Sequence, residues 1–182
     1  MAQIISPIPQ EIGPPFTVNF KSIRLTAAQF EQLCSDNRDL RLELTFEGEL
    51  IVMPPAGSKT GLRNARLNLR LGNWADIDGT GICFDSSTGF TLPNGAKYSP
   101  DSSWIRRDRW DALTTEEQEG FAPLCPDSVI ELRSHSDRVS QLQNKMQEYI
   151  DNGAHLVGLS IRSRVRFTFT ARTMPSKCST IL

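Results

Sequence analysis

Apolar and polar positions alternate between residues 41 and 53: Leu42, Leu44 and Phe46 precede Glu47-Gly48, and Leu50 and Val52 follow it. That pattern predicts a hairpin with one buried face, closed by Pro54 and Pro55, which lack the N–H a ladder needs. The period then lengthens. Over residues 58–74, Leu62, Ala65 and Leu69 fall on one flank and Leu67, Leu71 and Trp74 on the other, as in an amphipathic helix. Lys59, Arg63, Arg66 and Arg70 lie between those flanks in one narrow basic stripe, either a solvated face or a phosphate-contacting one. Upstream, Thr26 and Gln29 form a capping-box pattern ahead of Phe30 and Leu33, which predicts a short helix reaching about Cys34.

Further strands are predicted at 81–84, 89–92 and 98–105, the last after a Pro93-Asn94-Gly95 turn, with two short helices near 107–113 and from 115. Residues 127–132 read as a compact strand after Pro126. Ser136 then caps a helix to Asn152 whose buried face holds Val139, Leu142, Met146, Tyr149 and Ile150, with Gly153 just beyond. Residues 155–159 return to a strand. Strand, helix and strand in succession predict a βαβ unit, so the fold class is α/β, a mixed β-sheet flanked by helices.

A length of 182 residues suits one domain. Residues 1–22, rich in Pro and Gly, are expected to form a flexible N-terminal arm, residues 23–159 the domain proper, and residues 160–182 an atypical tail. No run approaches the roughly 18 apolar residues of a membrane span, and no basic-then-apolar leader opens the chain, so the expected setting is cytoplasmic. Cys34, Cys83, Cys125 and Cys178 are scattered, which argues against a structural zinc or a disulfide framework. The net charge of −1 conceals an asymmetry. Residues 161–182 carry five basic side chains and no acid, leaving 15 basic against 21 acidic, or −6, in residues 1–160. So acidic a body lacks the positive field of a non-specific nucleic-acid binder, and any DNA contact must come from local patches.

Two acids sit in apolar strand candidates: Asp101 after Pro100, and Glu131 inside Ser128-Val129-Ile130-Glu131-Leu132. Burying a carboxylate is costly unless a cation or good hydrogen-bond donors offset it, and a hard divalent ion or a structural ion pair would each do so. Lys145, on the following helix beside Leu142 and Tyr149, sits at the margin of the apolar face. It either covers core edge or reaches toward the sheet ends, where an ammonium could orient or help deprotonate a water, or stabilise charge building on phosphorus.

The ordered series Leu42-Glu43-Leu44, Gly48-Glu49-Leu50, Met53-Pro54, Phe90, Leu92-Pro93-Asn94-Gly95, Ser99-Pro100-Asp101, Cys125-Pro126-Asp127, Ile130-Glu131-Leu132, Ser134, Lys145-Met146-Gln147-Glu148-Tyr149 and Gly153 resembles the Uma family of restriction-type endonucleases. The likeness spans residues 26–159 and implies the PD-(D/E)xK nuclease fold. It implies Asp101 and Glu131 as ligands of Mg²⁺ (or Mn²⁺), Lys145 as the catalytic lysine, and Glu43 as a metal-shell or supporting carboxylate. Asp127 is read as a strand-start residue. Two departures stand out: Arg133 occupies the place where the general motif has lysine, and Asn64 lies where many members carry histidine. His135 and His155 are the only histidines, which disfavours histidine-based ββα-metal nucleases.

The implied activity is Mg²⁺-dependent hydrolysis of DNA phosphodiesters by a metal-activated water, and a homodimer would suit cutting both strands. The alternative is a catalytically silent nuclease-fold domain that binds DNA or protein, and a third reading is an interaction protein with no nucleic-acid partner. The tail carries its own hypothesis. Regrouping codons from Ser160 in another frame permits a strand-like continuation of the family type, so the acid-free tail suggests a single-base frameshift near Ser160. Resequencing the locus and finding no insertion or deletion relative to close relatives would refute it.

Overall fold

The computed structural model describes residues 15–23, 25–134, 137–161 and 164–169. In chain order the elements are β1 (Phe16–Asn19), α1 (Ala27–Asp36), β2 (Arg41–Leu44), β3 (Glu49–Met53), α2 (Ser58–Asp78), β4 (Gly81–Asp85), β5 (Phe90–Thr91), β6 (Lys97–Tyr98), β7 (Ser102–Arg106), α3 (Arg107–Asp111), α4 (Thr115–Glu119), β8 (Ser128–Leu132), α5 (Val139–Asp151), β9 (Leu156–Ile161) and β10 (Arg164–Phe169). The strands form two sheets, ordered β1-β3-β2-β6-β5 and β10-β9-β8-β7-β4. Among the described residues the named strands pair antiparallel except β8 with β9, which α5 connects as the predicted βαβ unit. No helix among the described residues is long and apolar enough to cross a membrane.

Local chemistry sets the element ends. Thr26 and Gln29 make the reciprocal capping box of α1, with hydrogen bonds of 3.2 and 2.9 Å. Helix α2 runs past residue 74 to Asp78 and stops at Gly79, whose φ of 70° suits a residue without Cβ. Helix α5 starts at Val139 with Arg138 as N-cap, and Ser136, the expected cap, lies outside the described residues.

Three differences from the sequence reading concern strands. Residues 16–19, read as part of a loose arm, form β1 against β3, with Phe16 beside Val52 and Val18 beside Leu50; residues 1–14 lie outside the described ones. At the far end β10 pairs with β9 along six residues, within the segment read as an atypical tail. The expected strand 98–105 is cut in two. Ser99 gives its N–H to Glu43 Oε1 at 2.9 Å, its carbonyl accepts from Arg41, and Pro100 has no N–H to offer a ladder. The chain therefore leaves the first sheet after β6 and enters the second at β7.

Period-two alternation aims the polar groups. On β2, Leu42 and Leu44 pack with Phe30 of α1, Leu50 and Val52, which turns Arg41 and Glu43 to the opposite face. On β8, Ile130 and Leu132 pack on Leu67 of α2, which turns Val129 and Glu131 toward Met146 and Tyr149 of α5.

Asp127 anchors the start of β8. Its Oδ2 accepts from the Arg106 N–H at 3.0 Å and pairs with Arg109 at 2.9 Å, and its carbonyl accepts from the N–H groups of His155 and Leu156. Asp127→Ala would remove the acceptor of the Arg106 N–H and the buried partner of Arg109, so we expect about 2 kcal/mol of destabilisation in urea melts.

Candidate active site

The crossover at Ser99-Pro100-Asp101 brings both sheets to one cluster. Continuing the β7–β8 register, in which Ser102 faces Ile130, sets Asp101 beside Glu131. Asp101 Oδ2 accepts from the Leu132 N–H at 2.7 Å, Oδ1 lies 3.4 Å from Arg41, and its carbonyl accepts from Asn68 at 3.0 Å. Lys145 reaches from α5 into the same space, with Nζ 2.8 Å from Glu43 and 2.8 Å from Glu131. The Glu43 and Glu131 side chains are only 2 and 6 % exposed, so this is an interior ion cluster rather than a surface pair. The Lys145 ammonium lies 4.9 Å from the Tyr98 ring centre and 5.9 Å from that of Tyr149, whose hydroxyl donates to Glu131 at 3.3 Å.

Of the sequence candidates, Asp101, Glu131, Lys145 and Glu43 thus meet at one place. The basic stripe does not join them: Thr60 and Asn64 of α2 line the adjoining cleft, whereas Lys59, Arg63, Arg66 and Arg70 do not. Arg63 instead donates to the Arg133 carbonyl at 3.2 Å. Asn64 accepts from Asn68 at 2.5 Å and donates to Ser86 at 3.1 Å. Sequence reasoning missed Arg41, although its position two residues before Glu43 on an alternating strand puts both on one face. It also read Tyr149 as core only, and overlooked Tyr98, whose hydroxyl donates to Glu148 at 2.6 Å and so fastens β6 to α5.

The cluster holds three carboxylates, Glu43, Asp101 and Glu131, against two cations, Arg41 and Lys145. Burial foremost, and then the charges of Asp101 and Glu43, push the Glu131 carboxyl up to about 7 against the pull of Lys145. Burial works against the Lys145 ammonium, but Glu131 and Glu43 overcome it and hold its pKa above the usual lysine value. Lys145 is therefore a donor and a fixed positive charge at neutral pH, not a base. Burial, followed by the charges of Glu131 and Glu43, likewise raises the Tyr149 phenol, which stays protonated.

Because the folded-state value of Glu131 lies above its unfolded value of 4.5, the folded chain binds that proton more tightly. Its stabilising contribution is complete below pH 4.5 and is lost as pH rises through 7. We expect stability to fall by on the order of 3 kcal/mol across that window, and Glu131→Gln to flatten the fall in melts recorded over the same range.

Among the described residues no three metal-ligating side chains converge on a common point; Lys145 sits where Glu43 and Glu131 meet. The donor set nonetheless suits a hard divalent cation. It offers only carboxylate oxygens, and three anions against two cations leave it short of positive charge. The cleft beside it measures about 1380 Å³ and is lined by nine acidic residues against three basic ones, Arg41, Arg138 and Lys145. A polyanion entering it would need added cations.

The sequence profile of the Uma2 family, described as a putative restriction endonuclease, matches residues 27–169. The chain belongs to the Uma2 family. The Uma2 match runs ten residues beyond Leu159, through β10. A crystal structure described as that of a putative nuclease belonging to DUF820, from Anabaena variabilis ATCC 29413, matches with a TM-score of 0.62 at 15 % identity. That likeness covers 84 % of this chain and 90 % of the other, and at such low identity it shows a shared fold. No curated protein matches the sequence. The family, described as a putative restriction endonuclease, and the shared fold together make this Uma2 chain restriction-endonuclease-like.

Proposed function

We propose that the protein hydrolyses DNA phosphodiester bonds with the help of Mg²⁺ or Mn²⁺, at the cluster of Asp101, Glu131, Lys145 and Glu43. The observation that carries this reading is the Lys145 ammonium shared at 2.8 Å by Glu43 and Glu131, with Asp101 on the neighbouring strand. A divalent cation held by Asp101 and Glu131 would supply Lewis acidity toward a phosphate oxygen and a more acidic water. Glu43, fixed by the Ser99 N–H, keeps the Lys145 side chain in the cleft. Lys145 orients the attacking water and faces the negative charge that builds on phosphorus as the P–O bond to the leaving oxygen breaks. Tyr149 keeps Glu131 aimed at the site, and Asp101 is steadied by the Leu132 N–H.

The acidic lining of the cleft favours a second reading, a catalytically silent nuclease-fold domain that binds DNA or protein. Incubation of supercoiled plasmid with the purified chain separates the two. Nicking that requires Mg²⁺ or Mn²⁺ and stops with EDTA supports hydrolysis, and an intact plasmid under a folded chain that retains it in a gel-shift supports the silent scaffold.

A further inference from the structure

Helix α2 buries Leu67, Leu71 and Ala75 and turns its opposite side outward. On that outer side Leu62, Leu69 and Ile77 are 53, 64 and 88 % exposed. With 3.6 residues per turn these three fall within about 80° of one another, facing away from the buried stripe. Single exposed apolar side chains need no account, but three aligned on one helix do.

Charge indicates the occupant. Residues 58–75 carry Lys59, Arg63, Arg66 and Arg70 and no acid, whereas the final turn has no base and sets Asp76 on the outward side. A helix basic along most of its length and acidic at its C-terminal end complements a reversed copy of itself. We propose that the outward face of α2 is a self-association surface, on which α2 of a second copy of this chain packs antiparallel around a two-fold axis near Leu69.

In that arrangement Leu69 meets Leu69 of the second copy. Leu62, seven residues before the axis, meets Asp76 and Ile77, which lie seven and eight residues after it. Lys59 and Arg66 flank that acid, each contact occurs twice by symmetry, and the helix dipoles oppose. A helix of 21 residues is about 31 Å long, enough for one small interface, so association falls in the micromolar range. Nucleic acid fits this face less well. Leu62, Leu69 and Ile77 offer a phosphate backbone nothing, Asp76 repels it, and the stripe does not line the cleft. The inference is independent of the catalytic reading.

Sedimentation velocity of the full chain, from low to high micromolar concentration, tests it. The wild type is expected to approach twice the monomer mass, and Leu69→Lys to stay monomeric at every concentration with an unchanged melting temperature. Asp76→Lys should weaken association at least tenfold, and Lys59→Glu added to it should restore most of the loss, since the two sites exchange charge across the axis. A monomeric wild type, a dimer untouched by Leu69→Lys, or a double exchange that fails to recover each overturns the proposal. A labelled duplex bound by a monomeric chain more tightly after Leu69→Lys would make the face a nucleic-acid contact instead.

Discussion

Replacing Lys145 by methionine is expected to destabilise the protein by about 3–5 kcal/mol at neutral pH and to abolish metal-dependent cleavage. Methionine matches the length of the lysine stem but brings no charge. Glu43 and Glu131 would then face each other in the interior with their shared counter-ion gone. A lone buried ion is far costlier than a paired one, which is why breaking such a cluster costs more than an exposed pair is worth. The defect should shrink on acidification. Without the ammonium, which pulls against the burial of Glu131, that carboxyl takes up a proton more readily, and a neutral carboxyl tolerates burial. Urea melts at neutral and mildly acidic pH measure both effects; a loss below about 1 kcal/mol at neutral pH would mean that the cluster is open to water. The expected activity loss has a separate origin, since the donor that the proposed mechanism sets against the charge on phosphorus is removed whatever the state of the fold.

Asp101→Asn is expected to lower the rate of cleavage by ~10³-fold or more, equal to about 4 kcal/mol of transition-state stabilisation, while leaving most of the fold intact. The amide oxygen still accepts the Leu132 N–H that now lies 2.7 Å from Oδ2, so β7 and β8 keep their junction. What changes is charge. With Asp101 neutral, two carboxylates face two cations, and the deficit that favours a divalent ion disappears. Single-turnover cleavage beside the melting temperature distinguishes this from unfolding: a rate near that of the wild type would remove Asp101 from the site.

The sequence disclosed elements whose signals are local. The alternation of residues 41–53, the Thr26 capping box and the strand–helix–strand run ending at β9 all reappear in the structure. Pairing over distance was less legible. Nothing local in Tyr98-Ser99-Pro100-Asp101 announces a change of sheet, because the turn is fixed by Arg41 and Glu43 almost 60 residues earlier. Likewise β1 has four exposed residues and no alternation to betray it, and β3 alone gives it a partner.

The candidate site divides along the same line. Asp101, Glu131 and Lys145 could be picked out because acids in apolar strands and a lysine at a helix margin invite explanation, and the family resemblance ordered them and added Glu43. Their convergence is a tertiary fact: Glu43 and Lys145 are 102 residues apart. Arg41 escaped notice and Tyr149 was read only as core, because a polar strand residue and a helical tyrosine are ordinary in isolation. The basic stripe was the clearest periodic feature of all, and it lies outside the cleft.

Cation binding is the step on which the account turns, and it can be measured without knowing any target sequence. Titrating Mn²⁺ into the full chain and following the free ion by electron paramagnetic resonance gives the stoichiometry directly. One ion per chain is expected, with affinity lost in both Asp101→Asn and Glu131→Gln. Binding that is absent in the folded wild type, or present and unchanged in both variants, would contradict it.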